Sequence, residues 1–363
     1  MTDSRWSPPS ATTEGGNDKA GIPPIDHQAE ELARKRWDRL TKPQGSLGRL
    51  EELGTRIAGM TGQPLPSIRR KVIFTVAGDH GVAAEGVSAF PQEVTPQMVA
   101  NFLAGGAGIN VLAAQVGAQV LVVDAGVAVD PASEGNGLLV RKIRRGTGNI
   151  VREPAMSRVE AEKIVEAGRS TFEEAHEKDR IDLVGLGDMG IANTTPAAAL
   201  AAVLTGSPVS WVTGRGTGIN DRQREHKIQV IERALALHCP NSADPIDGLA
   251  KVGGFEIGFL AGIALAAASL RVPVMLDGFL TTVSGLLASR IAPGVERYLI
   301  ASHRSVEPGH TVVLKALGLE PLLDLHLRLG EGTGAALGFF LVESALALLS
   351  KMATFADAGV AER

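Results

Sequence analysis

Short apolar runs rich in β-branched residues recur along the chain, and each ends at glycine, aspartate or serine. The runs are KVIFTVA (71–77), QVLVVDA (119–125), DLVGL (182–186), VSWVT (209–213), VPVML (272–276) and RYLIA (297–301). Most are followed by a segment with the 3.6-residue period of a helix. Continuous apolar strands that alternate with helices are typical of a parallel sheet covered on both faces. The pattern predicts an α/β fold whose ligands bind beyond the carboxyl ends of the strands.

The segments that flank this α/β region in sequence have a helical period. We expect residues 26–70 and 336–363 to form a small helical domain beside a large α/β domain of residues 71–335. Residues 1–25 are rich in Ser, Thr, Gly and Pro, and we expect a disordered lead-in there. The most apolar run, IGFLAGIALAAASL (257–270), is too short to span a bilayer and predicts a buried helix. The sequence therefore predicts a soluble, cytoplasmic protein with no membrane partner.

Composition excludes several classes of partner. Charged residues make up 21% of the 363 residues and the net charge is −4, so neither nucleic acid nor anionic lipid is an expected partner. The one cysteine, Cys239, lies in LHCP and has no intrachain partner for a disulfide, which fits a reducing compartment. A lone Cys in an Ala/Leu-rich helix predicts a core residue rather than a nucleophile.

Two glycine-rich loops follow predicted strands and are candidates for anion binding. GDMGIANTT (187–195) and GRGTG (214–218) would direct free backbone N–H groups toward a phosphate near a helix start, with hydroxyl donors at Thr194, Thr195 and Thr217. The alternative is that these glycines only form tight turns. Neither loop matches the P-loop pattern, and the first strand lacks a dinucleotide fingerprint, which disfavours hydride transfer.

Lys227 lies about two turns into the helix predicted after GRGTG. A lysine in this setting is usually solvated, so the pattern alone predicts a surface residue. The alternative is that the helix start faces the phosphate and Lys227 supplies positive charge to it.

Glu331 stands alone among glycines in RLGEGTGAA (328–336). It is either a carboxylate that meets a ligand or one that favours the start of the following helix through the macrodipole. Asp79 and His80 in GDHG either face the cleft or cap a turn. His303 and His310 lack the helical spacing of a zinc site, and no nucleophile elbow is present, so we expect metal-free chemistry.

Several long strings make the chain resemble a known family, the nicotinate-nucleotide:dimethylbenzimidazole phosphoribosyltransferases. The resemblance runs from KPQGSLGRLEEL (42–53) to MATFADAGV (352–360). The strings between these limits occur in the family's order, and they are GDHGVAAEGVSAFPQEVTPQMVANFLAGGAGINVLA, GDMGIANTTPAAAL, KVGGFEIGFLAG, VMLDGFLTT, SHRSVEPGH and RLGEGTGAA.

The resemblance implies the transfer of the 5-phosphoribosyl group from nicotinate mononucleotide to 5,6-dimethylbenzimidazole, without a cofactor. It also implies a homodimer and a Rossmann-like large domain. Some relatives accept adenine or a phenol, so the acceptor stays open. Two rival functions, a nicotinamide-dependent oxidoreductase and a non-catalytic nucleotide-binding protein, would share the fold class or the phosphate loops.

The same resemblance implies roles for individual residues. Glu331 is the expected catalytic base. Asp188 stands where relatives have glutamate, so its shorter side chain would assist Glu331 directly or through a water. The expected base-pocket residues are Asp188, Phe90, Met98 and Leu329. The expected phosphate and ribose residues are Gly190, Ile191, Asn193, Gly216, Thr217, Lys227, Ser305 and Asp277, and a turn-capping role for Asp277 is an open alternative.

Overall fold

A computed structural model describes residues 21–130 and 137–361 of the protein. Six parallel strands form one sheet in the order β3-β2-β1-β4-β5-β6. The strands are β1 (Lys71–Gly78), β2 (Gln119–Gly126), β3 (Leu138–Val140), β4 (Leu183–Met189), β5 (Val274–Leu276) and β6 (Leu299–Ala301). This is the Rossmann-like order, so the predicted α/β fold class is confirmed.

Helices precede, separate and follow the strands. They are α1 (His27–Arg39), α2 (Arg49–Thr61), α3 (Val94–Leu103), α4 (Gly108–Gln115), α5 (Arg158–Lys178), α6 (Thr194–Thr205), α7 (Val209–Val212), α8 (Asp221–His238), α9 (Pro245–Val252), α10 (Phe255–Ser269), α11 (Phe279–Ile291), α12 (Pro308–Leu317), α13 (Thr333–Lys351) and α14 (Phe355–Ala358). Two short 3₁₀ turns occur at Gly81–Glu85 and Val295–Tyr298.

The strand order reverses between β1 and β4. From β1 the chain moves outward through β2 and β3, and from β4 it moves outward the other way through β5 and β6. Where the order reverses, the loops after β1 and β4 separate and leave a crevice at the carboxyl edge of the sheet. The string GDMGIANTT spans the end of β4, the loop of residues 190–193 and the start of α6, so the fold places it at this crevice.

Helices on both faces bury the sheet, and every residue of β1 is buried. The predicted buried helix at 257–270 is α10, which is enclosed along almost its whole length and packs on α5. Helix α13 packs on β4 and β5, with Phe339 fully buried. Gly168 of α5 lies directly against the backbone of Phe259 in α10, so a side chain there would force these helices apart.

Two local predictions were wrong, and one strand was missed. VSWVT is not a strand, because Val209–Val212 is a short helix after Pro208, and a short apolar run alone does not distinguish the two. Strand β3 has only three residues and was not predicted. Cys239 is exposed rather than buried, because α8 ends at His238 before Pro240, and Cys239 takes a left-handed conformation at the helix end.

The terminal segments of the described chain pack together. Residues 1–20 of the predicted lead-in lie outside the described residues, but Ile22 is buried and Pro23 accepts a hydrogen bond from Tyr298, so the lead-in is ordered before residue 25. A small hydrophobic cluster joins α1, α2 and the end of α13, and its members are Ala33, Trp37, Leu40, Ala58 and Leu349. The predicted domain boundary at residue 336 falls inside α13, which continues across it from the sheet to this cluster.

Two helical stretches, Val94–Gln115 and Thr333–Lys351, are long and apolar enough to cross a membrane by length and composition alone. The second is α13, whose apolar side chains pack on the sheet and in the small cluster. A core helix passes the same test, so these stretches are weak evidence for a membrane span.

Candidate active site

A cleft opens at the carboxyl edge of the sheet, where the loops after β4, β5 and β6 converge. The loop that leads into α13 closes it from the side. The residues that line the cleft are Asp188, Met189, Gly190, Ile191, Asn193, Thr194, Gly216, Thr217, Gly278, Phe279, Leu280, His303, Ser305, Glu307, Arg328, Leu329 and Gly330. Most residues expected around the nucleotide therefore meet in one cavity.

The loop that carries Glu331 lies directly on the sheet. A Cβ at Gly187 would overlap the carbonyl oxygen of Glu331, so glycine is required for this approach. The Glu331 N–H donates to the carbonyl of Asp188 at 3.1 Å, and the Thr75 hydroxyl donates to the carbonyl of Glu331 at 2.8 Å. Glu331 has a left-handed backbone with φ +65°. These contacts hold it in a conformation that a non-glycine residue rarely adopts.

Glu331 precedes α13 in the chain, but its side chain is buried against the first turn of α4. Its Oε2 accepts a hydrogen bond from Ile109 N at 3.2 Å, at the first turn of α4. Oε1 makes no hydrogen bond to any other residue of the described chain. Burial raises the pKa of this carboxyl, the Ile109 amide opposes the shift, and Asp277 adds to it. A carboxylate with a raised pKa and one uncommitted oxygen is suited to accept a proton.

Asp188 lies beside the Glu331 loop at the end of β4. Burial, with Asp277 and Glu256 nearby, raises the pKa of Asp188 to about 8, although Asn193 donates to its Oδ2 at 2.9 Å. A carboxyl with this pKa holds a proton at neutral pH. In the described part of the chain no direct hydrogen bond joins Asp188 to the Glu331 carboxyl, so the predicted assistance stays a prediction.

The two glycine-rich loops line the cleft, but two of their amides are not free. The Ile191 N–H donates to Thr95 Oγ1 at 3.1 Å, and the Gly216 N–H donates to Glu307 Oε1 at 2.8 Å. The expectation of a cradle of free amides is therefore wrong at these two positions, because side chains from α3 and the loop before α12 already bind them. Glu307 Oε2 is buried without a partner among the described residues, and this acceptor suits a hydroxyl group better than a phosphate.

Lys227 is buried rather than solvated, with a relative exposure of 1%. Helix α8 directs it inward, and its Nζ donates to Thr194 Oγ1 at 2.6 Å beside Gly216. Burial lowers the pKa of Lys227 to about 8, and Glu307 opposes the shift. A lysine that has lost its hydration in this way gains from a nearby anion, so the prediction of a surface residue is corrected and the charged alternative gains support.

Asp277 lies behind the cleft wall, where it caps α13. Its Oδ2 accepts from Gly332 N at 2.9 Å and its Oδ1 from Gly334 N at 2.7 Å. His303 Nε2 lies 3.3 Å from the same Oδ1. The side chain is fully buried, so the structure favours the capping alternative over contact with a ribose hydroxyl. Because both bonds go to amides just after Glu331 in the chain, Asp277 fixes the loop rather than a ligand.

A buried network of hydrogen bonds under the cleft holds the backbone of Ser305. Its N–H donates to His310 Nδ1 at 2.9 Å, and His310 Nε2 pairs with Thr282 Oγ1 at 2.9 Å. The Thr282 hydroxyl donates to the Gly278 carbonyl at 2.7 Å. Burial lowers the pKa of His310 to about 3, so the ring is neutral and Nε2 is the donor. This network fixes the backbone that carries the Ser305 side chain.

Asp188 lines the cleft, and the other expected base-pocket residues are Phe90, Met98 and Leu329. Phe90 and Leu329 are 52% and 61% exposed, and Met98 is half-buried against the main core. Of these three, only Leu329 lines the cavity. Thr217 Oγ1 accepts from Ala89 N at 3.0 Å, so the GRGTG loop is tied to the segment next to Phe90.

Asp79 and His80 lie outside the cleft wall. Asp79 Oδ2 accepts from Ala128 N at 2.8 Å and joins the ends of β1 and β2, which is the capping alternative. His80 is buried, and its Nε2 lies 3.0 Å from Oε1 of Glu256. Burial alone would lower the pKa of the imidazole, but the Glu256 carboxylate outweighs it and raises this pKa. In residues 21–130 and 137–361, no group of three or more His, Cys, Asp or Glu side chains could hold a metal ion.

Three polar or charged residues of the cleft, Glu307, His303 and Arg328, were not predicted as site residues. His303 and Glu307 lie two positions before and after Ser305 in SHRSVEPGH, and Arg328 precedes Leu329 in RLGEGTGAA, so the strings that carry the family resemblance contain them. Although burial opposes it, the hydrogen bond with Asp277 raises the pKa of His303.

Comparisons with known proteins agree on one family. A family model described as phosphoribosyltransferase matches residues 22–360. Two nicotinate-nucleotide–dimethylbenzimidazole phosphoribosyltransferases, from Chloroflexus aggregans and Desulforudis audaxviator, are 56% and 55% identical, each over 94% of this chain and 96% of the relative. The crystal structure of CobT from Thermus thermophilus matches with a TM-score of 0.88 and 47% identity, over 93% of this chain and all of that one.

The contact between Gly187 and Glu331 gives a structural prediction. We expect Gly187→Ala to lift the loop off β4 and to speed hydrogen–deuterium exchange at the amides of Gly332 and Gly334, because their bonds to Asp277 would weaken. The matched control is Gly248→Ala in α9, where the added Cβ meets only the ends of the Leu200 and Val203 side chains, at 3.1 and 3.6 Å. Equal exchange in the two variants would contradict the prediction.

Proposed function

The chain belongs to the phosphoribosyltransferase family of the nicotinate-nucleotide–dimethylbenzimidazole enzymes, and we propose that it catalyses their reaction. In this reaction the 5-phosphoribosyl group of nicotinate mononucleotide moves to 5,6-dimethylbenzimidazole. The products are α-ribazole 5′-phosphate and nicotinate. The donor, the acceptor and the roles of individual residues below are all part of this proposal.

The chemistry asks for one base and no acid. The bond between C1′ and the pyridinium nitrogen breaks, and its electron pair leaves with nicotinate, whose ring nitrogen becomes neutral. A ring nitrogen of the benzimidazole forms the new bond to C1′ from the opposite side, so β becomes α. Positive charge builds on the acceptor, and its other N–H becomes acidic. A carboxylate at that N–H removes the charge as it forms.

The observation that carries the proposal is the setting of Glu331. It is buried and has a raised pKa, and its backbone is bonded to Thr75 and Asp188 next to the cleft wall. The acceptor ring would lie over Leu329 and Gly330, with Phe90 and Met98 on the open side. A base held in place before the substrate arrives needs no costly reorganisation during the reaction.

The donor would occupy the rest of the cleft. Its phosphate would lie near Lys227, Thr194 and Ser305, where a desolvated ammonium group gains most from an anion. Its ribose would lie between this end and Leu329, close to the spare oxygen of Glu307. Holding both substrates in one cleft lowers the barrier through proximity.

Glu331→Gln tests the function and the base together. We expect kcat to fall about 10²- to 10⁴-fold, because the amide accepts no proton. In the wild type, kcat should fall as pH drops through the raised pKa of Glu331, above the ordinary value of about 4.3, because protonation disables the base. Nicotinate and α-ribazole 5′-phosphate are followed by chromatography at several pH values.

The control for this experiment is Glu320→Gln, which changes an exposed glutamate far from the cleft in the same way. It should leave kcat and the pH profile unchanged. If the wild type forms no α-ribazole 5′-phosphate, the proposed function fails. If Glu331→Gln turns over normally, only the base assignment fails.

Lys227→Met tests the phosphate site. We expect KM for nicotinate mononucleotide to rise about 10- to 100-fold, because a charge-assisted hydrogen bond of roughly 1.5–3 kcal/mol is lost. Methionine fills the buried space but takes the nearby cation from the Glu307 carboxylate, so the melting temperature of the variant is measured to show that it folds. Lys163→Met, at an exposed position on α5, is the control. An unchanged donor KM would remove Lys227 from the site.

The proposal includes a homodimer in the cytoplasm. Phe340 of α13 and Val111 of α4 are 62% and 57% exposed on two helices that pack together, and a second copy of the chain would cover them. Sedimentation at micromolar concentration should give twice the mass of one chain, and Phe340→Asp should reduce it. A monomer at all concentrations would contradict the dimer, and cell fractionation would test the location.

A further inference from the structure

Thr75 is the only hydroxyl residue in β1, a strand whose other core positions are apolar. It is fully buried and lies directly opposite Gly187 of β4 in the sheet register. Its Oγ1 donates to the carbonyl of Glu331 at 2.8 Å, across 256 residues of sequence. A buried hydroxyl in a central strand needs a hydrogen-bond partner, and this one finds it in the loop of the predicted base.

The backbone of Glu331 packs on Thr75 and Gly187. Gly187 supplies the space, because any Cβ there would overlap this peptide, and Thr75 supplies the donor that the buried carbonyl needs. The backbone of Glu331 is left-handed, with φ +65°. Such a backbone is strained for a residue other than glycine and persists only where its surroundings determine it.

We propose that Thr75 is a positioning residue for Glu331, whose hydroxyl holds the left-handed backbone and thereby directs the carboxylate at the acceptor. The inference rests on the proposed function, because it gives Glu331 the role of base. Thr75 itself touches no substrate. Without its hydroxyl, the carbonyl of Glu331 would lose its buried partner and the loop would relax away from β4.

The electrostatic surroundings make this positioning measurable. Glu331 is faced by Asp188 from β4, by Asp277 from the end of β5 and by the Ile109 amide from α4; His303 from β6 reaches it only through Asp277. Burial is the main reason for its raised pKa. If the loop relaxes, the carboxyl gains water, and its pKa should move down toward the ordinary glutamate value.

The experiment compares four forms of the full-length protein, which are the wild type, Thr75→Val, Thr75→Ser and Thr171→Val. Valine keeps the volume of threonine and removes the hydroxyl, whereas serine keeps the hydroxyl. Thr171 of α5 is equally buried and also loses a hydrogen bond, from Arg141 Nε at 3.1 Å, but it lies far from the cleft. Rates of α-ribazole 5′-phosphate formation give kcat, both KM values and the pH profile.

We expect Thr75→Val to lower kcat about 10- to 100-fold, the usual cost of misplacing a reacting group by about 1 Å. KM for nicotinate mononucleotide should stay within about twofold, because the hydroxyl does not contact the donor. The acid limb of kcat should move to lower pH. Thr75→Ser should restore both kcat and the pH profile, and Thr171→Val should change neither, although its melting temperature falls.

Several results would overturn the inference. If Thr75→Val keeps the kcat and pH profile of the wild type, the hydroxyl does not position the base. If Thr75→Ser loses as much kcat as Thr75→Val, the effect comes from packing of the methyl group. If Thr75→Val does not fold, Thr75→Cys replaces it, because a thiol is only a weak hydrogen-bond donor. We expect Thr75→Cys to lower kcat in the same direction but by less, and an unchanged kcat would refute the role of Thr75. A wild type without activity would instead refute the proposed function.

Discussion

The site depends on how the backbone of one residue, Glu331, packs on the carboxyl-terminal halves of β1 and β4. The missing side chain at Gly187 lets the loop touch the sheet, and Thr75 and the carbonyl of Asp188 bind its two polar groups. Asp277 then binds the next amides and starts α13. The same contacts thus hold the predicted base and the start of α13, the helix that packs on β4 and β5. The fold and the site therefore depend on the same short segment of chain.

Several carboxyl groups crowd one end of the cleft, and the buried Lys227 lies at the other with a single carboxylate, Glu307, near it. Asp188 and Glu331 both have raised pKa values because burial and neighbouring carboxylates disfavour further negative charge. Burial disfavours any charge, but the neighbouring carboxylates Asp277 and Glu256 would favour positive charge on a bound group, as on a benzimidazole that attacks C1′. At the other end, Lys227 has a lowered pKa and gains from an anion. The polarity of the cleft therefore matches a donor phosphate at one end and an acceptor that becomes cationic at the other.

The sequence predicted the parallel sheet, the loops that form the cleft and the placement of Glu331 beside it, because strands read as continuous apolar runs and glycine marks close approach. It did not predict the inward direction of Lys227, since the helical period alone does not say which face α8 buries. Nor did it predict that Thr95 and Glu307 bind the loop amides, because these pairings join residues about 90 or more positions apart. Long-range partners of polar groups depend on tertiary structure, which periodicity does not contain.

The glycines beside Glu331 form a turn with it. Gly330, Glu331 and Gly332 have φ values of +82°, +65° and +98°, three left-handed residues in succession. This turn brings the chain onto β4 and then into α13. Glycine adopts the conformation freely at either side, but glutamate in the middle does so at a cost. A third glycine would make the same turn without strain, so the strain is explained by the glutamate side chain, which binds the Ile109 amide and is the base of the proposed reaction.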